Sequence, residues 1–147
     1  LNFLVTEDYK LKLADMGEAW PVGAPPRREN PPMPARHWCP PEVLEVGAKA
    51  DSYTKASDVF GVCVVISEIL LAELPYGDTP PDRMSQAAWL HQLSVEKLRP
   101  DLPDLEKSLE DSIRAGWATN PADRPSAADL LAEIEALTGA PGTFSAY

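Results

Sequence analysis

The chain has 147 residues, 13 Lys plus Arg against 23 Asp plus Glu, a formal charge of −10, 44% apolar residues, two Cys and 16 Pro. That length closes one hydrophobic core and not several, and the apolar fraction excludes wholesale disorder. The acidic balance excludes a nucleic-acid or anionic-membrane surface as the main business of the chain, so neither nucleic acid nor membrane is expected as a partner of this segment. Cys39 and Cys63 are too few for a disulfide scaffold, have no zinc spacing, and occur without any Asn-x-Ser/Thr sequon, which sets the expectation of an intracellular, cytoplasmic setting. The chain opens at Leu1 in an apolar stretch with no Met and no signal-peptide pattern, so it is expected to be a piece of a longer protein.

In chain order, the apolar or alternating runs Asn2 to Thr6 and Lys10 to Ala14, joined by the polar Glu7-Asp8-Tyr9, predict a short β-hairpin. From Pro21 to Pro41 there are eight prolines, with Gly23 and Arg27-Arg28-Glu29 among them, so an extended loop is expected there. Ser57-Asp58 is a cap-type pair, and the run Val59 to Leu71 behind it is apolar on nearly every side, which predicts a helix inside the core. A membrane span needs about 18 to 20 uninterrupted apolar residues. Asp58 and Glu68 bracket only nine. Pro75 stops this helix and Gly77 to Pro81 makes a turn. Met84 to Leu93, Leu105 to Trp117 and Ala127 to Leu137 carry apolar residues at three-to-four spacing and predict amphipathic helices, the last with Ser126 as its N-cap and Gly139-Pro141 at its end. The fold class expected is mainly α with a short N-terminal β-hairpin.

Taken singly, Asp15-Met16-Gly17, Pro40-Pro41-Glu42, Ser57-Asp58-Val59 and Asp123-Arg124-Pro125 are the ordinary punctuation of turns and caps. Their order is more specific. Leu-Lys-Leu-Ala-Asp-Met-Gly, a long proline-rich loop, Arg-His-Trp-Cys-Pro-Pro-Glu-Val-Leu, Ser-Asp-Val-Phe before a buried helix, and Gly-Trp-x3-Pro-x2-Arg-Pro-Ser before a final helix closely resemble the C-terminal lobe of a eukaryotic protein kinase. Leu98-Arg99-Pro100 and Gly116-Trp117 are similar to the tyrosine-kinase-like and tyrosine kinase branch. The resemblance runs from Asn2 to about Leu137, and the domain expected is a partial kinase domain over 1–138 with a tail over 139–147.

The resemblance implies roles for matching residues. Asp15 stands where the metal-binding Asp of the DFG motif stands, Asn2 where the second metal ligand ends the catalytic loop, and Gly17 where the backbone must be free to turn. Met16 replaces the family's Phe and is expected to pack beneath the cleft. Glu42 and Arg124 match a structural ion pair, and Asp58 matches the Asp that caps the central helix and braces the catalytic loop. The implied cofactors are ATP and Mg2+, and the implied partners are a protein substrate and an N-terminal lobe in cis.

The departures from the pattern matter as much. The glycine-rich loop, the strand Lys with its helix Glu, and the general base, which would lie five residues before Asn2, are absent from this sequence. Pro40 replaces an Ala, Cys63 stands where Gly is common, and Ala35 replaces a Thr that helps align base and substrate in many Ser/Thr kinases. Two functions therefore compete: part of an enzyme transferring the ATP γ-phosphoryl to protein Ser, Thr or Tyr hydroxyls, inactive as the isolated fragment, and a pseudokinase or truncated lobe that binds a partner without catalysis. Retained metal ligands favour the first. Between Asp15 and Glu42 there is no Ser, Thr or Tyr, so control by phosphorylation of this loop is not expected.

Overall fold

The computed structural model describes residues 2–8, 10–19, 21, 36–45, 52–77 and 81–139. It is mainly helical, with one two-stranded hairpin at the start. Strands β1 (Phe3–Val5) and β2 (Leu11–Leu13) pair antiparallel with Phe3 opposite Leu13, Leu4 opposite Lys12 and Val5 opposite Leu11. Thr6 closes the turn: its amide donates to the Lys10 carbonyl at 2.9 Å and its hydroxyl accepts from the Lys10 amide at 2.9 Å. Past β2, the Ala14 amide donates to the Asn2 carbonyl at 2.8 Å, so pairing continues to the very end of the hairpin.

The helices are α1 (Pro41–Leu44), α2 (Lys55–Leu71), α3 (Gln86–Ser94), α4 (Lys107–Gly116) and α5 (Ala127–Thr138), with single 3-10 turns at Met16–Glu18, Arg36–Trp38, Pro81–Arg83 and Pro121–Asp123. Helix α2 begins at Lys55, four residues before the apolar run that starts at Val59. Thr54 is the N-cap, its hydroxyl accepting from the Ser57 amide at 3.3 Å while Ser57 Oγ accepts from the Thr54 amide at 3.2 Å. This reciprocal box satisfies two otherwise orphaned amides, and it displaces Asp58 from the capping role expected of it. Asp58 sits one turn into the helix instead, with its residue exposed. Ala72, in the left-handed region at φ 55°, ends α2 before Pro75 is reached. Helices α3 and α4 start at Gln86 and Lys107 rather than Met84 and Leu105, because Ser85 and Glu106 supply the caps. Ser126 caps α5 in a second box with Asp129, and Gly139 at φ 65° ends it.

Two cores follow. Val59, Phe60, Cys63 and Val64 of α2 meet Ile113 and Trp117 of the α4 end and Leu130 of α5. Cys39, Val43 and Leu44 meet Tyr76, Trp89 and Leu93, so α1 rides on α3. Each fully buried side chain of this size stabilises by about 1.5 to 3 kcal/mol relative to exposure. The expectation that α2 is enclosed all round is corrected: Val62, Ile69 and Leu70 are open to solvent along one side. Apolar character predicts which side chains gain from burial, while covering them requires a neighbouring element, and α4, α5 and the Arg36–Trp38 turn occupy the other sides. Among the described residues no helix is long and apolar enough to cross a membrane. The greater part of the proline-rich loop, 22–35, and the tail from 140 onward lie outside the described residues.

Candidate functional site

Of the residues singled out in the sequence, the fold collects Asn2, Asp15 and Gly17 at one end and Glu42, Arg124 and Ser57 at another. At the first, the hairpin register does the work: because Phe3 pairs with Leu13 and the Ala14 amide bonds to the Asn2 carbonyl, Asn2 is carried beside the residue that follows Ala14. That residue is Asp15, whose backbone is left-handed at φ 57°, ψ 67°. A non-glycine residue pays about 1 kcal/mol for this conformation, though Asp tolerates it better than most, and such strain gathers at functional sites. The Asp15 carboxylate accepts from the Gly17 amide at 3.4 Å. A Cβ on Gly17 would stand 3.2 Å from Asp15 Oδ1, a close approach that the exposed carboxylate would have to yield to by a few tenths of an ångström. Asn2 and Asp15 are both exposed.

Met16 departs from expectation. It is 54% exposed, because the 3-10 turn after Asp15 projects it away from the described elements and none of them covers it. An amide oxygen and a carboxylate are hard donors suited to Mg2+, which keeps several waters and takes few ligands from protein, so the pair Asn2 and Asp15 fits such an ion without a denser protein cage. Among the described residues no group of three or more His, Cys, Asp or Glu gathers into a metal site.

The second cluster fastens the end of the loop. Arg124 Nη1 donates to Glu42 Oε1 at 2.7 Å and Nη2 to Oε2 at 2.9 Å, the bidentate fork that suits guanidinium and carboxylate. Its remaining donors reach the Ala118 carbonyl at 2.8 Å, Ala56 at 2.9 Å and Thr119 at 3.4 Å, so all five N–H groups are matched. The Arg124 side chain has no solvent exposure and lies over the Phe60 ring, 5.1 Å from its centroid. Ser57, which sequence reasoning read only as part of a cap, points its hydroxyl at Glu42 Oε1 at 3.2 Å and at the Ser52 carbonyl at 3.1 Å. One residue thus completes the capping box of α2 and holds the carboxylate.

The loop end is gripped elsewhere as well. Trp38 Nε1 donates to Glu68 Oε2 at 3.0 Å, Arg36 Nη1 to the Met84 carbonyl at 3.0 Å, Trp89 Nε1 to the Arg36 carbonyl at 3.2 Å, and Gln86 Nε2 to the Leu44 carbonyl at 2.7 Å. Residues 36–44 are therefore tied to both α2 and α3. Arg36, the one of the loop's arginines among the described residues, is held by partners outside the loop.

Asp58 is exposed at the residue level, but partial desolvation of its carboxyl in the first turns of α2 raises its pKa above the ordinary value. Burial also pushes the Cys39 and Cys63 thiols up to about 12, which leaves neither as a nucleophile. Cys63 faces α4, where a Cβ on Gly116 would fall 2.2 Å from its sulfur. Glycine on α4 makes the room for the Cys63 sulfur on α2. Two residues three elements apart carry no sequence signal for that pairing.

This arrangement of a short hairpin ending in Asp-x-Gly, a loop returning to a Glu–Arg pair and a central capped helix defines a class. The family described as protein tyrosine and serine/threonine kinase matches residues 1–134, and the chain belongs to the protein kinase family. Its relatives include the probable serine/threonine-protein kinase drkC of Dictyostelium discoideum, 30% identical over 92% of this chain and 17% of that protein. The serine/threonine/tyrosine-protein kinase HT1 of Arabidopsis thaliana is 29% identical over 91% of this chain and 32% of its own length, and the non-receptor tyrosine-protein kinase TNK1 of Mus musculus is 32% identical over 88% and 19%. The chain therefore spans less than a third of each of these relatives.

Proposed function

We propose that this chain is the helical half of a protein kinase catalytic domain, and that the complete protein transfers the γ-phosphoryl of ATP to hydroxyl groups of a protein substrate. The observation that carries the reading is the juxtaposition of Asn2 and Asp15 by the hairpin, with Asp15 in a left-handed turn stabilised by the Gly17 amide. When bound, a divalent ion with the nucleotide phosphates neutralises charge on the transferring group. Asp15 and Asn2 are the residues that would hold that ion, and Gly17 lets the backbone present the carboxylate. Glu42, Arg124 and Ser57 do no chemistry. They anchor the loop end, so that the segment before it can meet a substrate from a fixed base, and positioning of this kind supplies most of the catalysis in phosphoryl transfer. The general base, by resemblance, lies upstream of Leu1, and the 147-residue chain alone is expected to transfer no phosphate.

The test is transfer of labelled phosphate from ATP by the complete protein. Activity that is lost in Asp15→Ala while the fold persists by circular dichroism supports the reading. Full activity in Asp15→Ala, or Asp15-dependent transfer by the 147-residue chain alone, overturns its respective half.

A further inference from the structure

Two arginines lie over the Phe60 ring, Arg124 at 5.1 Å and Arg99 at 5.4 Å from its centroid. Arg124 is neutralised by Glu42. Arg99 is half-buried, and its four acceptors are all uncharged: Nε donates to the Trp117 carbonyl at 2.7 Å, Nη1 to the Leu93 and Leu98 carbonyls at 2.9 and 2.7 Å, and Nη2 to Thr119 Oγ1 at 2.9 Å. Lys97 approaches the same hydroxyl. Its Nζ donates to the Ser94 carbonyl at 2.5 Å and to Thr119 Oγ1 at 3.2 Å. Among the described residues neither cation has a carboxylate within salt-bridge distance, in a chain with 23 acidic residues and a charge of −10. Glu96, adjacent in sequence, is turned to His91 at 3.2 Å.

We propose that Lys97, Arg99 and Thr119 form an oxyanion site that receives a phosphoryl group. Burial lowers the Arg99 pKa from its ordinary value; Arg124 beside it lowers it further, and the Glu42 carboxylate, beyond salt-bridge distance and already paired with Arg124, offsets only part of this. Capping of helix ends accounts for part of the arrangement, since Leu93 and Ser94 close α3 and Trp117 follows α4. It does not account for two cations directed at one neutral hydroxyl. One Nη2 hydrogen of Arg99, one Nζ hydrogen of Lys97 and the hydroxyl hydrogen of Thr119 have no acceptor among the described residues. Three unused donors on side chains that meet at Thr119 Oγ1 suit the terminal oxygens of a tetrahedral oxyanion, and a phosphoryl dianion also supplies a carboxylate-like counter-charge. Lys97 is exposed and Thr119 half-buried, so the site opens to solvent, and Lys97 holds its place at a strained φ of 56°. The site is separate from Asn2 and Asp15, and the proposal stands whether or not the chain takes part in phosphoryl transfer.

The test is titration of the full chain with inorganic phosphate and with O-phosphoserine at constant ionic strength, followed by amide NMR shifts and calorimetry. Saturable one-to-one binding with a Kd on the order of 1 mM or tighter is expected, with shifts confined to 94–99 and 117–120. Lys97→Gln and Thr119→Val, both at the rim of the core, should each weaken it by about tenfold while leaving the unfolding midpoint near that of the unmodified chain. Tighter binding of O-phosphoserine would identify a phosphorylated chain as the source of the group, and preference for inorganic phosphate the free ion. Absence of saturable binding, or binding unchanged in both variants, overturns the site.

Discussion

The helical region and the hairpin are built on different terms. In the helical region Phe60, Cys63, Trp89, Leu93 and Ile113 are completely buried, and a matched ion pair joins residues 82 positions apart. In the hairpin Leu4, Val5, Leu11 and Leu13 are 57%, 64%, 55% and 60% exposed, and the described contacts that shape it include backbone hydrogen bonds, a threonine turn and an exposed Asp8–Lys10 ion pair. A two-stranded hairpin is marginal in water without a packed face. The region proposed to carry chemistry is thus the one that contributes least to stability, while the region that contributes most holds no proposed metal ligand. Substitutions should separate accordingly, with large stability effects among the helices and small ones in the hairpin.

The sharpest test is Arg124→Ala. It leaves the Glu42 carboxylate partly buried without its partner and five acceptor contacts unmade, and the expected loss is about 3 to 5 kcal/mol in urea unfolding. A loss below about 1 kcal/mol would place the pair among surface bridges and remove the contrast between the regions. Next is Gly116→Ala, whose new methyl group collides with the Cys63 sulfur. Overpacking of this kind costs about 1 to 3 kcal/mol, and most of it should return in the double variant with Cys63→Gly, a coupling that a double-mutant cycle reads directly.

At the hairpin, Asp15→Gly relieves the left-handed strain and should raise stability by about 0.5 kcal/mol, measured by thermal unfolding. The same change should abolish nucleotide-dependent activity of the complete protein. A clear stability loss would mean that Asp15 is part of the scaffold after all. The smallest effect is expected at Asp58. Its folded pKa lies above the ordinary 3.8, so the folded state holds the proton more tightly and stability falls as pH rises through the interval from 3.8 to the raised value. Asp58→Asn should remove that slope and gain a few tenths of a kcal/mol, about 0.3, at neutral pH, discounted because the residue is exposed enough for solvent to screen it. Identical pH profiles for the two proteins would show that burial leaves this carboxyl untouched.

Local chemistry and motif order determined much of this protein. Leu130, Ile134 and their spacing declare α5, Ser126 and Gly139 declare its ends, and the Glu7-Asp8-Tyr9 connection declares the hairpin, because periodicity and capping act over a few residues along the chain. Asp15, Asn2, Glu42 and Arg124 were legible from the order of motifs, as members of a pattern longer than any one element. Tertiary structure decided what depends on distant neighbours. Thr54 rather than Asp58 caps α2, since both can accept at a helix start and the choice turns on the Thr54 hydroxyl closing a box with Ser57 while Ser57 also reaches Glu42. Met16, Val62 and Ile69 are exposed because burial needs a partner that apolar character cannot supply. Gly116 makes room for Cys63, and Arg99 meets Lys97 at Thr119, only because packing α2, α3 and α4 together brings those backbones within reach.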